Sequence, residues 1–108
     1  MRLYKPLYMG KNAGKRRSFL LQGIRRGKLR PGAYVITPAA NGNNILDIYP
    51  AAEFLLPYYR DQDFLILGIA LGYFEALEVA GQIVDEMYRE TGGFDLAEFL
   101  EGQATCFP

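Results

Sequence analysis

The chain has 108 residues, half of them apolar and 14% aromatic, with twelve Lys or Arg balanced by twelve Asp or Glu and no histidine. That length fits one domain over residues 1–108, and the composition excludes the weakly hydrophobic, highly charged class of disordered chains. Without histidine, and with Cys106 as the single cysteine, Ser-His-Asp and Cys-His catalysis by this chain alone, an internal disulfide and a cysteine-cluster metal site are all excluded.

The first predicted element is a strand over residues 3–9, which Pro6 restricts to the edge of a sheet because proline donates no ladder hydrogen bond. From 12 to 27 the periodicity becomes helical. Ala13, Leu20, Leu21 and Ile24 share one face with Phe19 beside them, while Lys11, Lys15, Arg25 and Arg26 lie opposite. The turn signal RPG at 30–32 precedes a strand at 33–37. The loop PAANGNN at 38–44 then leads to a strand at 45–49, and together these read as an antiparallel hairpin.

Pro50 suits the first turn of a short helix running through AAEFLL, which Pro57 limits. FLILGIA at 64–70 is apolar on both faces, as a central strand covered on two sides must be. A long helix follows. Tyr73, Ala76, Leu77, Ala80, Ile83, Val84 and Met87 are assigned to its inner face, and Glu75, Glu78, Gln82, Asp85, Glu86 and Arg89 to its outer face. Gly92 and Gly93 terminate it, and Asp95 with Glu98 makes a capping box for a short final helix. The order βαββαβα plus a short helix predicts an α/β or α+β domain with a four-stranded mixed sheet. A ferredoxin-like βαββαβ arrangement with an added C-terminal helix is the alternative.

The run MGKNAGKRR at 9–17 raises the question of phosphate binding. A P-loop requires G-x-x-x-x-G-K-[ST], but Gly10 and Gly14 stand one residue too close and Arg16 occupies the hydroxyl position. A nucleotide-hydrolysing loop is therefore not expected. Lys11, Lys15, Arg16 and Arg17 still surround a helix start, where free N–H groups attract anions. These four, with Arg25 and Arg26, are the candidate residues for an anion or nucleic acid.

Two weaker candidates accompany them. Gly68, Gly72 and Tyr73 form a strand-to-helix junction where α/β sheets bind small ligands, although Gly68 equally serves close helix packing. Tyr58, Tyr59 and Arg60 combine residue types enriched at interfaces. No cofactor motif is present, and without histidine or a convincing carboxylate pair an enzyme is the less favoured reading.

Charge is sharply segregated. Residues 1–46 carry ten Lys or Arg and no acid, while residues 47–108 carry all twelve acids with Arg60 and Arg89. The halves are thus +10 and −10. This pattern points either to an anionic partner, nucleic acid foremost, or to a homodimer in which opposite charges pair across a two-fold. The longest apolar run, residues 64–74, is shorter than the ~20 residues a spanning helix needs, and no export signal is evident, so a cytoplasmic location with no membrane partner is expected.

The stretches KPLYMG, AYVIT, LDIYPA, PYYRDQDFLILGIALG and YRETGGFD together resemble an uncharacterised family of small proteins of clostridial and related gut bacteria. The resemblance spans residues 5–95, with YYR, QD, GIA, G and EA between 58 and 76 as its most specific part. It implies a bacterial cytoplasmic protein and carries no activity with it.

Overall fold

The computed structural model describes residues 2–25, 32–39, 45–55 and 65–105. Its four strands are β1 (Arg2–Met9), β2 (Ala33–Pro38), β3 (Leu46–Pro50) and β4 (Leu65–Leu71). The helices are α1 (Lys11–Gly14), α2 (Arg17–Arg25), α3 (Tyr73–Thr91) and α4 (Leu96–Thr105), with a 3-10 turn at Ala51–Leu55. The radius of gyration is 13.4 Å, the dimension of one domain, which for ~100 residues is about 13 Å.

The sheet order is β1-β4-β2-β3. β1 runs parallel to β4, while β2 is antiparallel to both β4 and β3. This is the expected four-stranded mixed sheet, with a short C-terminal helix. Pro6 lies on an edge strand, and the cis Lys5–Pro6 bond sits in the segment where the β1–β4 register shifts between Leu3 and Tyr8. β4 lies inside the sheet, and its residues from Ile66 to Ala70 are all buried.

The side chains of the strands divide between two cores. On one face Ala13 and Leu20 from α1 and α2 pack on Val35, Ile66 and Ile69. On the other, Ala76, Val79, Ile83 and Met87 of α3 and Phe99 of α4 pack on Tyr4, Ile36, Leu67 and Ala70. The sheet is thus coated by α1–α2 on one side and α3–α4 on the other. Gly68 permits the close approach of α3, since a Cβ there would lie 3.0 Å from Val79 Cγ1 and 3.2 Å from the Tyr8 carbonyl oxygen. Gly92 ends α3 at φ 75°, and Asp95 Oδ1 accepts the Glu98 N–H at 3.2 Å, as the capping signals require.

Three local expectations need correction. The predicted helix over 12–27 is broken at Lys15–Arg16, where the Arg16 N–H donates to the Ala13 carbonyl and ends α1. Pro50 closes β3 rather than opening a helix, and the next residues form the 3-10 turn. α3 is also rotated from its expected setting. Ala76, Val79, Ile83 and Met87 recur at 3.6-residue spacing and face the core, which leaves Leu77 44% and Tyr73 53% exposed and turns Glu75 inward.

Candidate functional site

α1 starts without a cap of its own. Gly10 has no side chain to offer, and no acid stands in the first turn. A helix N-terminus leaves its first N–H groups without partners, so an acceptor must come from elsewhere. It comes from Glu75, in the first turn of α3.

Glu75 Oε1 accepts the Asn12 N–H at 2.6 Å, and Oε2 accepts the N–H groups of Ala13 at 3.2 Å and Leu71 at 2.6 Å. One carboxylate thereby ties the start of α1, the end of β4 and the first turn of α3. The side chain is buried, at 8% exposure. Burial pushes its pKa up, but the backbone hydrogen bonds from Leu71, Asn12 and Ala13 outweigh that and hold it below the ordinary value of 4.5. Gly10 lies against this carboxylate, and a Cβ there would collide with the Glu75 side chain. The glycine-and-lysine run does cradle an anion, and that anion belongs to the chain itself.

The basic side chains are directed elsewhere. Lys11, Lys15, Arg16 and Arg17 are exposed, and among the described residues none of them enters an ion pair. Arg17 Nη1 donates to Met9 Sδ at 3.2 Å. An open hollow of about 470 Å³ at the α1–α2 turn is lined by Gly14, Lys15, Arg16, Arg17, Ser18 and Phe19. Arg25 ends α2, while Arg26 lies outside the described residues, as do Tyr58, Tyr59 and Arg60.

Acidic side chains gather on the far side of the sheet. Glu78, Asp85 and Glu90 are exposed on α3, where Asp85 pairs with Arg89 at 3.2 Å, the two groups standing one helical turn apart. Glu86 Oε2 accepts the Tyr8 hydroxyl at 2.5 Å. Burial, that bond and the Glu86 charge push the Tyr8 pKa well above the ordinary phenol value, so Tyr8 stays protonated. Pro6, Leu7, Tyr8, Glu86, Arg89 and Glu90 line an open cleft of about 390 Å³ there.

The strand-to-helix junction is occupied by the protein's own atoms. Gly68 is filled against Val79 and Tyr8, and the Gly72 N–H donates to the Gly32 carbonyl at 2.8 Å. Gly72 adopts φ 92°, and Tyr73 stands edge-on to Tyr34 with ring centroids 5.8 Å apart. Among the described residues no group of three or more His, Cys, Asp or Glu is placed to hold a metal ion, and no helix is long and apolar enough to cross a membrane.

Lys11, Lys15, Arg16 and Arg17 are the sequence candidates that the fold brings together. Glu75 is the residue that sequence reasoning assigned to solvent. The uncapped helix start at Gly10–Lys11 was the signal that some acceptor had to reach it. No protein-family model, curated protein or solved structure matches the chain.

Proposed function

We propose that the chain is a non-catalytic binding module, bacterial and cytoplasmic, whose corner at Lys11, Lys15, Arg16 and Arg17 engages a polyanion, with nucleic acid as the foremost class. One observation supports this reading: the four basic side chains are exposed on the coat of the sheet opposite the acidic helix α3, and among the described residues no carboxylate forms an ion pair with them. Lys and Arg bound to phosphates release counterions and so gain affinity without reading sequence. A small phosphate at the helix start is less favoured, because Glu75 already takes the Asn12 and Ala13 N–H groups.

Size-exclusion chromatography of untreated protein at low and high salt, monitored at 260 and 280 nm, tests the proposal. Material absorbing at 260 nm should co-elute at low salt and dissociate at high salt, and Arg16→Glu/Arg17→Glu should not carry it. Protein free of nucleic acid that also fails to bind an added single-stranded oligonucleotide at low salt would refute the reading.

A further inference from the structure

The segment that carries Lys11, Lys15, Arg16 and Arg17 has few anchors of its own. The Gly10 N–H donates to the Ile69 carbonyl at 3.0 Å, and α1 begins at the next residue. Ala13 is the one buried residue of α1, and its side chain is a single methyl group. Four residues make no helix that is stable by itself. The remaining anchor is polar. Glu75 reaches from the first turn of α3 to the Asn12 and Ala13 N–H groups, while it also accepts the Leu71 N–H at the end of β4. The Arg16 N–H then donates to the Ala13 carbonyl at 3.0 Å and the Leu20 N–H to the Arg16 carbonyl at 2.9 Å, so the setting of Ala13 is passed on to the start of α2.

We infer, resting on the polyanion reading above, that Glu75 is the positioning residue of the basic corner: an acid from the opposite coat that holds α1 where its lysines and arginines meet a polyanion together. The consequence runs against simple charge. Glu75 is a negative group hydrogen-bonded to the segment that bears the cations, so removing its charge would tighten polyanion binding if only the field mattered. With the carboxylate as the holder of the corner, removing it weakens binding. The free protein then occupies the competent arrangement only part of the time, and the apparent affinity falls in proportion. The complex, once formed, keeps the same phosphate contacts and therefore the same salt slope.

Two variants disturb the tie in electrostatically different ways. Glu75→Gln removes the charge and keeps the size. Gly10→Ala keeps the charge, and its Cβ would collide with the Glu75 side chain and push the carboxylate off its N–H partners. Glu78→Gln, exposed on the same helix, also removes one charge and is the control. Binding to a labelled single-stranded oligonucleotide is measured by fluorescence anisotropy across a salt series, on protein freed of nucleic acid and verified as folded by circular dichroism. Glu75→Gln and Gly10→Ala should each bind about tenfold more weakly than wild type, as a corner correctly set about one time in ten would, with the slope of log affinity against log salt unchanged. Glu78→Gln should bind as tightly as wild type or slightly tighter. Saturating oligonucleotide should slow hydrogen exchange of the α1 amides in Glu75→Gln protein, because binding and ordering are reciprocally coupled.

Glu75→Gln protein that binds as tightly as wild type or tighter overturns the inference and leaves the polyanion reading standing, as does Gly10→Ala protein that binds like wild type. A loss of affinity with a shallower salt slope also overturns it, since contacts and not their setting would have been lost. Wild-type protein that binds no oligonucleotide overturns both.

Discussion

The two coats of this sheet are held by different physics. α3 is a 19-residue helix that presses an apolar stripe onto β1, β2 and β4, and with Phe99 of α4 it encloses nine buried core residues. Among the described residues the α1–α2 side encloses five against those nine, with α1 only four residues long and a break at Lys15–Arg16. A long amphipathic helix is held mainly by burial, whereas four residues cannot bury enough surface to stay in place. The short coat is instead pinned by a polar tie, the Glu75 carboxylate on the Asn12 and Ala13 N–H groups. This arrangement turns one acid inward to hold the basic layer and leaves the basic side chains facing water.

The sharpest way to break that contrast is to cut the tie. Glu75→Ala leaves three N–H groups without their charged acceptor and should cost about 3 kcal/mol in urea denaturation, given ~1.5–3 kcal/mol for a hydrogen bond to a charged group. Glu78→Ala, on the exposed side of the same helix, should stay within about 0.5 kcal/mol. Hydrogen exchange should accelerate in α1 well before α3 in the Glu75 variant. Equal acceleration in both would show that the two coats are not held separately.

The same tie gives a pH signature. The folded pKa of Glu75 is depressed, so its contribution is complete above the ordinary value of 4.5 and is lost as the pH falls below it, through the folded pKa. Glu75→Gln should therefore flatten the dependence of stability on pH in that acid window. A curve parallel to wild type would show that the carboxylate is not held by those N–H groups.

Gly10→Ala should cost about 2 kcal/mol, within the ~1–3 kcal/mol typical of overpacking, because its Cβ would collide with Glu75. Gly10 has φ −66°, an ordinary value for alanine, so the loss would report the contact rather than backbone strain. Removing the Tyr8 hydroxyl with Tyr8→Phe should cost about 1 kcal/mol through the lost bond to Glu86. The smallest change is a gain. Gly81→Ala, in open space within α3, should stabilise by about 0.8 kcal/mol from helix propensity. No gain there would mean that something already packs on that face.

The sequence made legible whatever depends on a residue's own neighbours. Pro6 identified an edge strand, the double-sided apolar run identified the interior strand β4, and Gly92 and Asp95 marked helix ends. Strand order was not legible, because β1 and β4 pair across more than fifty intervening residues without a local signal. The break at Lys15–Arg16 was hidden because apolar periodicity continues across it. The setting of α3 was ambiguous because it carries two apolar stripes, one buried through Val79 and Ile83 and one exposed through Phe74, Leu77 and Tyr88. Glu75 escaped for a related reason: its partners Asn12 and Ala13 stand more than sixty residues away.

The outward basic face is tested most directly by the salt dependence of binding to a labelled single-stranded oligonucleotide, read by fluorescence anisotropy. With Lys11, Lys15, Arg16 and Arg17 engaged, the plot of log affinity against log salt should slope by about −3, at ~0.7 per phosphate contact for single strands. Arg16→Glu/Arg17→Glu should at least halve that slope and Glu78→Ala should leave it unchanged. A slope near zero, or one that survives the double reversal, would contradict a polyanion-binding role for the α1–α2 corner.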